Sequence, residues 1–286
     1  NGCDRDQTRR IMKSITVLLA EDHTLVREGL RMMLKLQSDF EVVGIGDRVI
    51  PAAHARKRMI GRDHPGHRGS RFQHLLDVEA ARRAAQAGFD AVEIHGAHGY
   101  LLSQFMTPLE NRRDDAYGGD LGGRLRYPLE VFAAIRAVWP AERPISVRIS
   151  AHDWVEGGIA LDEVTALGQA LHDMGYDYLH LTSGGNVAQA QIPGGEPGYQ
   201  LRFAQAVKAA TPQANVMAVG MIFDPQQAED IVASGQADFI AIARAALDDP
   251  HWAHHAAVAL GEDEGLPVQY RGAGKGVWPA YGKADV

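Results

Sequence analysis

Short apolar, β-branched runs alternate along this chain with longer segments whose apolar residues recur at helical spacing. This alternation constrains the fold more than any other feature. Strand-like runs are expected at residues 15–20, 41–45, more weakly 49–53, then 91–95, 145–150, 178–182, 216–220 and 239–243. Between them, residues 24–36, 77–87, 125–138, 162–174, 199–210 and 225–234 carry the helical period. Such a βαβα order predicts a parallel sheet covered by helices. Gly88, Gly175 and Gly235 stand where a helix must stop before the next strand, as a glycine just past a helix end does. With 286 residues and 45% apolar content the chain can bury a full core. Its length suits one (β/α)8 barrel of about 250 residues or two smaller domains.

A formal charge of -7 argues against general nucleic-acid or anionic-membrane binding, which needs a positive face. A small-molecule partner is expected. Cys3 is the only cysteine, so neither a disulfide nor a cysteine-rich zinc site is expected. The sequence shows no run of 18 apolar residues and no signal peptide, so a cytoplasmic protein without a membrane partner is expected.

In a parallel barrel the chemistry gathers at the C-terminal ends of the strands. There the chain reads His95-x-x-His98-x-Tyr100, two imidazoles and a phenol that a glycine-bearing loop can aim at one ligand atom. The spacing also fits a hydrogen-bonded structural pair, or two ligands of a metal such as zinc. Arg148 shares a strand face with Ser146 and Ser150, and inside a barrel its guanidinium demands an anion, a ligand or a carboxylate such as Glu93. Gly220-Met221 and Ala243-Arg244 would end the seventh and eighth strands, where backbone N–H groups and a bidentate cation commonly hold a cofactor phosphate. Residues 54–74 are strongly basic and are expected to be a solvated loop.

The string Asp90-Ala91-Val92-Glu93-Ile94-His95-Gly96-Ala97-His98-Gly99-Tyr100-Leu101-Leu102, followed by Asn111-Arg112-Arg113-Asp114-Asp115-Ala116-Tyr117-Gly118-Gly119 and by Arg124 and Arg126, resembles the Old Yellow Enzyme family of FMN-dependent ene-reductases. The likeness runs from about Phe72 to Tyr270. It implies a TIM-type barrel in which NAD(P)H reduces FMN and reduced FMN passes hydride to an activated C=C bond. By that resemblance His95 and His98 hydrogen-bond the substrate oxygen and Tyr100 donates the proton. Arg148 lies beside the flavin pyrimidine edge, and Gly220, Met221, Ala243 and Arg244 hold the FMN phosphate. Gln269-Tyr270-Arg271 resembles the tail that in some members sends an arginine into a neighbouring subunit's active site, which would make Arg271 a substrate contact and admits a homo-oligomer.

The chain also departs from the pattern. Ala243 replaces a usual glycine, and its methyl group would crowd the phosphate. Asp120 and Gly123 replace a serine and an asparagine, which predicts a looser loop. Pro51 falls where a glutamine would read the flavin ring, and the family's first two strands have no counterpart. In their place residues 12–46 resemble the opening of a response-regulator receiver domain, with Glu21 and Asp22 matching its acidic pair. The expected organisation is therefore a receiver-like βαβ fragment over 1–48 and a barrel portion over 49–286. Two receiver-like strands, the weak strand and five family strands total eight, a hybrid or an incomplete barrel. The rival readings are an inactive chimeric remnant whose receiver-like part contacts a partner, and a metal-dependent barrel enzyme using His95 and His98.

Overall fold

The computed structural model describes residues 15–19, 40–45, 67–262, 268–274 and 277–279. In chain order the elements are β1 (Ile15–Leu19), β2 (Phe40–Ile45), α1 (His67–Ala87), β3 (Val92–Gly96), α2 (Leu101–Met106), α3 (Leu121–Arg136), β4 (Ile145–Ser150) and α4 (Leu161–Asp173). They continue with β5 (Tyr178–Thr182), α5 (Leu201–Ala210), β6 (Asn215–Val219), α6 (Pro225–Ala233), β7 (Phe239–Ala241), α7 (Arg244–Asp248), α8 (Trp252–Ala259) and a 310 helix (Val268–Ala273). Two compact units emerge, one holding the described residues of Asn1–Glu93 and Asn111–Ile145, the other those of Ile94–Glu110 and Ser146–Val286.

In the first unit β1 and β2 pair in parallel, Ile15 opposite Phe40, with an irregularity between Val17 and Leu18. Both expected N-terminal strands are therefore present as backbone. The expected helix 24–36, the pair Glu21 and Asp22, the weak strand 49–53 with Pro51, and the basic stretch 54–66 lie outside the described residues. Residues 67–74 are helical, the start of α1, which corrects the expectation of a loop there. A helix that has nucleated gains one hydrogen bond per added residue, so α1 extends through a polar stretch that shows no strong period.

Helix α3 packs against α1. It buries Tyr127, Val131, Phe132 and Ile135, a stripe at helical spacing, and each fully buried large side chain stabilises by about 1.5–3 kcal/mol. Arg143 ties down the far end of α1, its Nη1 donating to the carbonyls of Ala85 at 3.1 Å and of Phe89, just past the helix, at 2.9 Å. The loop expected to be loose is tight instead. Asp120 caps α3 by accepting from the Gly123 N–H at 2.9 Å, and a Cβ on Gly123 would lie 2.0 Å from the Gly118 carbonyl oxygen. Arg124 Nη1 donates to the carbonyl of Gly119 at 2.9 Å.

The second unit is built on the sheet β3-β4-β5-β6-β7, in which every strand neighbours the next in sequence. That is the order a barrel requires, and the pairs β4–β5, β5–β6 and β6–β7 are parallel. Val147 and Ile149 of β4, Leu179 and Leu181 of β5, and Val216 and Ala218 of β6 are buried beneath α4 and α5, which contribute Val164, Leu167, Leu171, Phe203 and Val207. The opposite strand face carries Ser146, Arg148 and Ser150 on β4 and Tyr178, His180 and Thr182 on β5, with Arg148 opposite His180 and Ser150 opposite Thr182. Polar groups thus collect on the face that the helices do not cover. Gly88, Gly175 and Gly235 have φ of 86, 78 and 70°, the left-handed helix ends expected of them.

Candidate active site

The site forms where β3, β4 and β5 end. His95 is the last but one residue of β3, and the chain then turns through His98 at φ 59° and Gly99 at φ 79° before Tyr100 caps α2. A left-handed histidine costs about 1–3 kcal/mol and persists only when its surroundings enforce it. Here both peptide N–H groups around it are claimed. The His98 N–H donates to Ser150 Oγ at 3.0 Å, and the Gly99 N–H to Asn186 Oδ1 at 2.8 Å and Ser103 Oγ at 3.0 Å. Ser150 Oγ in turn donates to the carbonyl of Gly184 at 2.9 Å. The backbones after β3 and β5 meet so closely that a Cβ on Gly99 would lie 2.6 Å from the Gly185 carbonyl oxygen.

This turn brings together the three groups singled out in the sequence. The His95 ring centroid lies 5.2 Å from that of His98 and 5.2 Å from that of Tyr100. The His98 Nε2 sits 3.1 Å from Thr182 Oγ1. Burial, then the positive charge of Arg148, then His95 and His180, lower the His98 pKa to about 4. The ring is therefore neutral near pH 7, able to offer one hydrogen bond but holding no proton to give away. Tyr100, 44% exposed, stands beside the His95 imidazole.

Arg148 is half-buried on the strand next to His95. Gly220, buried at the end of β6 with φ 118°, comes so near the next layer that a Cβ would stand 2.5 Å from Gln200 Nε2. Met221 follows at φ 53°. Ala243 and Arg244 follow β7, which pairs with β6 through Val219 and Ala241, so the two expected phosphate-binding pairs sit at the ends of neighbouring strands. Ala243 has φ -130°, a conformation that does not require glycine. Arg271 falls within the 310 helix Val268–Ala273, its side chain outside the described part.

Sequence reasoning missed His180, Thr182, Ser150, Asp153 and Asn186. The first two carried a signal, since Tyr178, His180 and Thr182 alternate along β5 as Ser146, Arg148 and Ser150 do along β4. Asp153 is 1% exposed and its carboxylate accepts from Thr107 Oγ1 at 2.6 Å, the Ile159 N–H at 2.9 Å and Asn186 Nδ2 at 2.5 Å. Nothing in the sequence announces that these residues meet. Among the described residues no three His, Cys, Asp or Glu side chains are grouped to hold a metal ion, so the metal reading of His95 and His98 gains no third ligand there.

Residues 75–262 match the model of the NADH:flavin oxidoreductase / NADH oxidase family. The chain belongs to that family. Its relatives include the NADPH dehydrogenase of Geobacillus sp. (strain WCH70), 42% identical over 193 residues, which cover 66% of this chain and 54% of that protein. The NADPH dehydrogenase of Halalkalibacterium halodurans is 43% identical over 192 residues, 66% of this chain and 55% of the relative. Thus the chain spans about half the length of the curated relatives it matches. Among solved structures, 2-naphthoyl-CoA reductase aligns with TM-score 0.62 and 26% identity over 67% of this chain and 29% of its own. Morphinone reductase aligns with TM-score 0.56 and 28% identity over 70% and 51%. The fold class is accordingly the TIM-type α/β barrel of this family, and FMN with NAD(P)H as electron donor is its cofactor set. Among the described residues no helix is long and apolar enough to cross a membrane.

Proposed function

We propose that this chain is the catalytic barrel portion of an FMN-dependent ene-reductase, acting on small activated alkenes such as an enone, an enal or a nitro-alkene. The packing of the His95 ring against both His98 and Tyr100, with Arg148 close enough to lower the His98 pKa, carries this reading. FMN, when bound, would supply the redox chemistry, a hydride drawn from NAD(P)H and delivered to the β-carbon of the alkene. The residues of the chain do the rest. His95 and His98 hold the carbonyl or nitro oxygen, and a donor fixed in advance stabilises the charge that builds there. Tyr100 gives its phenolic proton to the α-carbon, a role that the neutral His98 cannot fill.

The donors present suit FMN. Arg148 would supply a cation for the negative charge that reduction places on the flavin's pyrimidine edge. Gly220 and Met221 at the end of β6 would offer backbone N–H groups to the phosphate, with Ala243 and Arg244 at the end of the neighbouring β7 and Arg244 able to reach a phosphate as a bidentate cation. By the family resemblance Arg271 is a further substrate contact. The chain divides at residues 48 and 49, works in the cytoplasm and assembles as a homo-oligomer, in keeping with the Gln269-Tyr270-Arg271 tail. The visible spectrum of the purified protein, with and without added FMN, followed by NADPH-dependent reduction of an enone, tests this reading. A chain that takes up no FMN under any condition would overturn it.

A further inference from the structure

The three loops that carry the site are tied together at one buried carboxylate. Asp153 follows β4, Asn186 follows β5, and Gly99 follows β3, and they form a line: Asp153 Oδ1 accepts from Asn186 Nδ2 at 2.5 Å, and Asn186 Oδ1 accepts from the Gly99 N–H at 2.8 Å. Asn186 is 8% exposed and Asp153 1%, so water does not substitute for these partners. An asparagine amide can lie either way round. The carboxylate accepts only, so it admits the Nδ2 end, and the Oδ1 end is thereby turned towards Gly99. The peptide so held joins His98 to the residue before Tyr100, and His98 sits in a backbone conformation that non-glycine residues adopt only when held.

We propose that Asp153 and Asn186 form a positioning pair, the carboxylate fixing the orientation of the Asn186 amide and the amide fixing the 98–100 turn that carries His98 and Tyr100. This rests on the reading of His98 and Tyr100 given above for its use, but not for its geometry. Asp153 touches neither residue directly. It acts through Asn186, and its other two donors, Thr107 and the Ile159 N–H, hold it in place.

The logic of the pair makes it testable by exchange. In Asp153→Asn the new amide keeps its oxygen on Thr107 and Ile159 and presents its NH2 to Asn186. Asn186 must then turn over and face the Gly99 N–H with a donor. In Asn186→Asp two carboxylates meet at contact distance. The double exchange, Asp153→Asn with Asn186→Asp, restores every donor to an acceptor and should restore the turn. The readout is the titration of His98, followed by imidazole NMR on the full chain, since burial first, then Arg148, His95 and His180 around that ring, hold it neutral down to about pH 4. Each single variant should raise the His98 titration towards 6.5, and the double exchange should return it to near the original value. In flavin-loaded protein the alkene-reducing step should slow by about 10- to 100-fold in the singles and recover in the double.

Thr107→Val serves as the control. It removes a hydrogen bond from the same carboxylate without breaking the line to Gly99, so it should lower stability and leave His98 unmoved. If Asp153→Asn does not fold, Asn186→Ala tests the same link while leaving the carboxylate its two other donors. A His98 titration unmoved in every single variant would overturn the pair, as would a double exchange no better than its parents. A titration that moves as expected in a protein that never turns over would sustain the pair and sink the proposed reaction instead.

Discussion

The turn after β3 and the segment after β7 serve the same proposed reaction in different ways. Around His98 each backbone N–H is claimed by a side chain from β4, α2 or the β5 loop, and the chain passes within contact of Gly185. The segment from Ala243 to Asp248 buries none of the residues of α7, and Arg244 stands exposed at its start. The difference teaches where precision is built in. Acid and oxyanion donors must be placed before the substrate arrives, because their effect lies in not having to reorganise. A cation for a phosphate gains most of its order from the anion itself.

The largest effect that would break this comparison is at Tyr100. Replacing Tyr100 by phenylalanine should slow the alkene-reducing half-reaction by about 10²–10⁴-fold while flavin reduction by NAD(P)H stays nearly intact, as rapid-mixing absorbance would show. Equal slowing of both half-reactions would remove Tyr100 from the acid role. Next comes the exposed end. Arg244→Ala should weaken FMN affinity by about 10- to 150-fold, the worth of a charge-assisted hydrogen-bonded contact, measured by fluorescence titration of the flavin. Hydrogen exchange would sharpen the contrast, with FMN slowing exchange across 242–248 and leaving 97–100 unchanged. Comparable protection in both segments would mean that the His98 turn is as ligand-dependent as the phosphate end.

Smaller effects are expected at the two imidazoles. His95→Ala and His98→Ala should each weaken binding of a phenolic ligand by about 2- to 13-fold, one net hydrogen bond apiece, with the braced His98 the larger. The smallest effect concerns pH. The folded-state pKa of His98 is lowered to about 4, while the unfolded chain titrates near 6.5. Above pH 6.5 both states are neutral there and His98 adds no pH dependence. Between 6.5 and 4 the unfolded state takes the proton first, so this group lowers stability progressively as pH falls and adds nothing further below 4. Urea midpoints measured from pH 7 to pH 4 should fall less steeply for His98→Gln than for the parent, and equal slopes would show that His98 is not the group held neutral.

Much of the framework is legible in the sequence. Strands 145–150 and 178–182 fall where the apolar period placed them, because a strand covered by helices on one face must present alternate apolar residues. The cluster of His95, His98 and Tyr100 was legible too, since all three lie within six residues and follow a strand end. Helices α2 and α7 escaped because six and five residues are too few to show a helical period. Residues 67–74 escaped because their polar sequence carries no face to read.

The sequence by itself determined the strand and helix order, the family, and the three side chains of the proposed chemistry, because each is written in residues close together in the chain. Only the tertiary structure decided how those side chains are held. Asp153 and Asn186 are 33 positions apart, Gly99 and Asn186 87 apart, and Ser150 and His98 52 apart. A hydrogen bond between residues so far separated leaves no local pattern of period, cap or turn, and exists only because parallel strands bring their C-terminal ends to one edge of the sheet. The lowered pKa of His98 is of the same kind, since burial and the charge of Arg148 on the adjacent strand produce it, and neither is a property of the residues beside it in the chain.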